Sequence, residues 1–222
     1  EAGAGAAQLS VTEIDNRQGT LLASGGALTS NGVRLNNQEG WLQGDSLDIT
    51  TSDELNNHAG HLLATLGDAR LNSAQTANVE GQIRAQGNLL LSGNSLNNQG
   101  GTLGAQLIEL ALTGALDNSN GLIEASERLL LQADELDNEN GQLRALGESG
   151  ESRIQLTNHF ANGDGLVEIG NSRFSLRSAS LGNYGGSVLH LGSEGFALNV
   201  ANLDYAGGSL ISNSDLSLNA AS

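Results

Sequence analysis

Few residues in this chain have the types and spacing that chemistry requires. His58 and His61 are near enough in sequence to share a metal ion, but they sit in a turn with no further cluster of ligands, so solvated histidines are expected. Asn162-Gly163-Asp164-Gly165 sets a carboxylate in a glycine-rich loop. The alternating acidic positions and distal glutamate of a calcium-binding helix–loop–helix site are missing there, and so is the glycine-aspartate nonapeptide of calcium-binding β-rolls. Asp15, Asp117, Asp137 and Asp204 recur at one position of a repeating pattern, which makes a carboxylate row acting on a polysaccharide conceivable. Such a row would repel a polyanionic substrate, and no basic group is placed to assist it. The nucleophile elbow, the phosphate-binding loop and the His-Glu-x-x-His zinc motif are absent. The expectation is therefore no enzyme, no catalytic residue, no metal and no cofactor.

What repeats is a structural unit. Leu96-Asn97-Asn98-Gln99-Gly100-Gly101-Thr102-Leu103-Gly104-Ala105 is rewritten along the chain as apolar, any, Asn, two variable, Gly, any, apolar, any, small. Copies begin at Ile14, Leu35, Leu55, Thr76, Leu96, Leu116, Leu136, Phe160, Leu181 and Leu203, in steps of 20 to 24 residues. The glycine five places on is present in every copy, from Gly19 to Gly208. The asparagine two places on is Asn16, Asn37, Asn57, Asn78, Asn98, Asn118, Asn138, Asn162 and Asn183; only Tyr205 breaks the series. Self-similarity this regular marks stacked repeats, because one repeat cannot bury its apolar face alone.

Each repeat holds two short alternating runs, such as Ile83 and Ala85 followed by Leu89 and Leu91. Period-two alternation places these side chains on one face of a strand. A strand-plus-helix repeat is excluded by Gly87, Gly93, Gly114 and Gly147, which fall where a helix would lie. Strands repeated at this interval stack in parallel, each lap serving as the crossover for the next. The predicted fold is an all-β, right-handed parallel β-helix of about ten rungs, its hand following the general crossover preference. At about 4.8 Å per rung it would be roughly 45–50 Å long. The asparagines should form a stacked ladder that caps the turn. The glycine should sit where φ is positive or where backbones crowd.

Three segments are expected: regular rungs over 1–146, an irregular polar insertion over 147–159, and aromatic-richer rungs of the same solenoid over 160–222. Near the start, Leu9 and Val11 complete a partial rung. Trp41 follows Gly40 and alternates with the inward Leu42, so it points outward or caps a corner. The polar loop is Gly147-Glu148-Ser149-Gly150-Glu151-Ser152, and beyond it lie five of the six aromatics. A wider core needing larger fillers explains most of that shift. Tyr184, Tyr205 and His190 are the candidates for stacking against a sugar or partner.

The net charge of −16, with all nine basic residues arginine, argues against nucleic acid and anionic membranes as partners. No stretch is apolar enough to span a membrane as a helix. The absence of Cys and Pro removes mispaired disulfides and slow prolyl isomerisation, which suits a chain that folds after export.

The unit Leu-Asn-Asn-Gln-Gly-Gly-x-Leu-x-Ala, alternating with Leu-x-Leu-x-Ala, resembles the haemagglutinin repeats of filamentous haemagglutinin and of contact-dependent growth inhibition effectors. The resemblance runs from Ile14 to the C-terminus. It implies a secreted bacterial surface exoprotein, exported by an outer-membrane two-partner-secretion transporter and built as a filament that projects distal domains and mediates cell contact. A target-cell receptor or glycan is the other implied partner. The segment is expected to come from the middle of a larger filament and to be a monomer, its exposed end rungs a stacking liability.

Overall fold

The computed structural model describes residues 5–220, as 23 strands without a helix. Residues 1–4 and 221–222, the outer ends of the first and last expected segments, lie outside the described residues. Every pairing is parallel and joins a strand to its counterpart one lap later. Leu96 pairs with Leu116, Leu116 with Leu136, Leu136 with Phe160, and Phe160 with Leu181. The chain is thus a parallel β-solenoid of about ten turns. A parallel pair needs a crossover, and each lap provides one.

Each lap has three short faces. In one lap the first face is Gln82–Ala85, and the single strand Leu89–Asn97 bends to supply the second and third. Alternation sets what each face buries. On the first, Leu62, Ile83, Leu103, Ile123 and Leu143 form one fully buried column, with small residues two places on. On the second, Leu89, Ile108 and Leu129 stack in register. The residue that opens each motif is the inward residue of the third face, buried from Leu35 to Leu181. Burying each such side chain contributes about 1.5–3 kcal/mol, and only stacked laps exclude water from it.

The last third is filled differently. Phe160, Phe174 and Phe196 are fully buried, and the Phe174 and Phe196 rings stack with centroids 4.6 Å apart. The small-residue column running through Ala125 and Ala145 continues as Ile169 and His190. The polar insertion is narrower than its sequence suggests. Only residues 146–150 and 157–158 lie between strands, and Glu151–Leu156 pairs in register with the laps on both sides. The partial rung is likewise shorter: Leu9 lies in the strand Ala7–Ser10, whereas Val11 falls outside it and is exposed.

Thr76 stands in the leucine column, and its hydroxyl is the one buried side-chain polar atom without a partner among the described residues. An unmade hydrogen bond at a buried site costs about 1–3 kcal/mol. Thr76→Val keeps the shape and removes the hydroxyl. It should raise the denaturant midpoint, stabilising the chain by about 1 kcal/mol, as equilibrium urea unfolding would show.

Candidate functional site

The most elaborately built feature is the corner between the third and first faces. Its asparagines are buried from Asn37 to Asn183 and half-buried at Asn16, and each amide nitrogen up to Asn162 donates to the Oδ1 of the next lap's asparagine. The series runs unbroken from Asn16 through Asn98 to Asn183, with eight bonds of 2.6–2.7 Å. The same amide also reaches backbone carbonyls. Asn57, for example, donates to Gly60 O at 3.1 Å and to Gln82 O at 3.2 Å. At the tenth lap Tyr205 replaces the asparagine, and Asn183 donates to Gly186 O and Ser209 O instead.

The glycine and its neighbour divide the work of the turn. Positive φ belongs to the residue before the repeated glycine, in all ten laps. It is Gln18, Glu39, Ala59, Glu80, Asn120, Asn140 or Asp164 in seven of them, with φ between 50° and 56°, and glycine in the other three. The repeated glycine is required by crowding. A Cβ on Gly60 would meet Asn57 Oδ1 at 2.7 Å and Asn37 Nδ2 at 3.0 Å, with the Asn37 carbonyl oxygen closer still. Of the two expected reasons for the glycine, crowding is the operative one.

The residue before six of the nine ladder asparagines, and before Tyr205, has a role that sequence reasoning missed. Asp15, Asn36, Asn56, Asn97, Asp117, Asp137 and Asp204 each accept, through Oδ1, the backbone N–H two residues on, at 2.8–3.2 Å. These are Asx turns, and the recurrence of Asx in the motif was the available signal. The supposed acidic row is therefore discontinuous. Asp117 and Asp137 are lateral neighbours, but Asp15 lies beside Asn36 and Asp204 beside Gly182. Hydrogen bonds from the Arg17 side chain and backbone hold the exposed Asp15 carboxyl down to about 2.

The outward candidates separate. Tyr184 and Tyr205 are 66% and 59% exposed, on adjacent laps of this corner. His190 is not a surface residue; it is fully buried. The strand Ser187–His190 alternates, so His190 shares the inward face with Val188. Its Nε2 donates to Asn171 O at 3.0 Å and its Nδ1 faces Ser212 Oγ at 3.1 Å, so both ring nitrogens are occupied. Asn171, outside the repeated motif, is a second buried amide. It accepts from Ser152 Oγ and donates to the carbonyls of Glu127 and Ser149, tying down the inserted loop.

Trp41 lies on the outer surface, its ring 4.6 Å from that of His61, and its Nε1 donates to Gln43 Oε1 at 3.0 Å. His61 in turn faces Gln82 Oε1 at 3.3 Å. No group of three or more potential metal-ligating His, Asp or Glu side chains occurs among the described residues. On the first face the Arg144 guanidinium bridges Glu168 and Glu124, and these hydrogen bonds raise its pKa further.

The family model for the haemagglutinin repeat matches residues 2–59, 46–120 and 148–222. No curated protein and no solved structure matches the chain.

Two adjacent positions should respond in opposite directions to swapping the same two residues. Gly60→Ala should cost about 3 kcal/mol or more by pushing on the Asn37 carbonyl, whereas Ala59→Gly should stabilise by about 0.5–1 kcal/mol through relief of the left-handed conformation. Asn98→Ala strands the amide of Asn78 and the oxygen of Asn118 and should cost about 2–4 kcal/mol. Thermal unfolding of the three variants checks all of this; a Gly60→Ala variant as stable as the parent would contradict the crowded geometry.

Proposed function

This chain belongs to the haemagglutinin repeat family, and from that premise we propose that it is a structural segment of a filamentous adhesin. It is a rigid length of a secreted bacterial surface exoprotein that projects distal domains toward other cells. The observation that carries this reading is the continuity of the core and of the asparagine ladder, lap on lap, with no interruption at the insertion. Each lap buries its apolar residues only against its neighbours, so the body resists bending and can grow one lap at a time. Such growth suits a chain emerging unfolded through an outer-membrane two-partner-secretion transporter, the partner proposed for export. Each arriving lap finds a template in the last.

A second reading is favoured by the two exposed tyrosines. Large exposed aromatics lose little entropy on stacking against a sugar or protein, so Tyr184 and Tyr205 are the contact residues if this segment itself meets a receptor or glycan on a target cell, as in a contact-dependent growth inhibition effector.

Deletions within the full exoprotein separate the possibilities. Removing residues 96–135 excises two whole laps and lays Leu136 where Leu96 stood. Secretion, surface display and target-cell binding should survive it. Removing residues 96–125 breaks phase, and antibody labelling of the surface should fall to background. Equal display of the two deletions, or display that persists after loss of the transporter, would overturn the filament reading. Tyr184→Ser with Tyr205→Ser should leave cell binding unchanged for a pure stalk and reduce it for a receptor-contacting segment.

A further inference from the structure

The solenoid bears a second concave corner, between its second and third faces. A groove of about 600 Å³ runs there along the last laps. One wall is a row of outward side chains in register, Gln132, Gln155, Arg177, Asn199 and Asn219, one per lap. The floor is formed around Leu156, Ser178 and Val200, with Thr157, Ala179 and Ala201 on the far side. At about 4.8 Å per lap, the row spans about 19 Å along the axis.

Three observations set this corner apart from ordinary solvated surface. The same column in earlier laps reads Asn31, Thr50, Asn72, Ser92 and Ala111, so its longest side chains, Gln132, Gln155 and Arg177, begin where the groove begins. The chain carries 25 acidic residues, yet none lines the groove; the nearby Asp134 is held by Asn158 at 3.0 Å. Arg153 and Arg173, on the same face, are tied to Glu151 and Glu194, whereas Arg177 has no carboxylate partner among the described residues.

We propose that this groove binds a linear oligosaccharide bearing a carboxylate, laid along the solenoid axis with its acidic group on Arg177. A side-chain amide offers a donor and an acceptor together, which is what adjacent sugar hydroxyls require. A guanidinium matches a carboxylate with two parallel hydrogen bonds. Ala179 and Ala201 give the C–H faces of sugar rings something apolar to lie on. Peptide addition as an extra strand is unsuited, because the backbone of this corner is already paired with the laps above and below. A nucleic acid would meet one cation on a body of net charge −16. The inference goes beyond the filament reading and uses neither Tyr184 nor Tyr205.

Calorimetric titration of the 222-residue chain at low salt, with two tetrasaccharides, tests it. One alternates glucuronate with N-acetylglucosamine, and the other contains only N-acetylglucosamine. The uronate probe should bind saturably and about tenfold more tightly than the neutral one. Arg177→Gln should erase that preference while leaving the neutral probe's affinity unchanged. Gln155→Ala combined with Asn199→Ala should weaken both probes by about tenfold. These side chains are exposed, so the thermal midpoint should not move, and that measurement controls for folding. Absence of saturable binding by the uronate probe overturns the proposal, as does a preference that survives Arg177→Gln or a double variant that binds like the parent. Binding that is abolished by Tyr184→Ser but indifferent to Arg177→Gln would place the glycan at the other corner and also overturn it.

Discussion

At every lap the backbone must turn a corner inside a stack, where its polar groups are shielded from water above and below. A buried N–H or C=O left unmade costs about 1–3 kcal/mol, and ten laps would multiply that beyond what a thin core can offset. The ladder asparagine meets the demand. Its amide oxygen accepts from the previous lap, and its amide nitrogen donates to the next lap and to turn carbonyls. The bond to the next lap forms only if the two corners sit one above the other. Satisfying the corner therefore fixes register, and register puts leucine over leucine.

The remaining features of the corner follow from that stacking. The repeated glycine leaves room for the carbonyl of the lap below, so it cannot carry a Cβ even though its own φ is ordinary. The left-handed residue before it lets the chain double back, and because its side chain points away from the stack, Gln, Glu, Ala, Asn and Asp are all accommodated there. The Asx residue before the ladder asparagine closes the turn from outside. Three neighbouring positions thus tolerate very different substitutions for reasons that lie in three different directions of space.

The ladder and the parallel strands were legible in the sequence because each signal is repeated about ten times, and Leu96, Leu116 and Leu136 pair as their spacing demands. What was not legible depends on single residues. A left-handed φ leaves no compositional trace when seven different laps supply it from ordinary side chains. Asn171 belongs to no motif, so nothing marked it as the amide that anchors the insertion. His190 was misplaced because histidine suggests a surface; strict alternation from Val188 would have put it in the column of Ala145 and Ile169. The aspartates resembled a reactive row because their spacing was visible while their hydrogen bonds to the turn were not.

Alternation also separates the inside of the solenoid from the outside. Within the strand Arg173–Gly182, Phe174 and Leu176 fill the core while Ser175 and Arg177 face out. A change in one set does not oblige a change in the other, since the backbone between them is held by the ladders. The core can therefore switch from leucine to stacked phenylalanine in the last laps while the outer column goes from Ser92 and Ala111 to Gln132, Gln155 and Arg177. Here the outer columns are free to vary because the corner asparagines and inward leucines already determine the fold, so recognition of other molecules has to be sought in the residues that depart from their column, not in those that repeat.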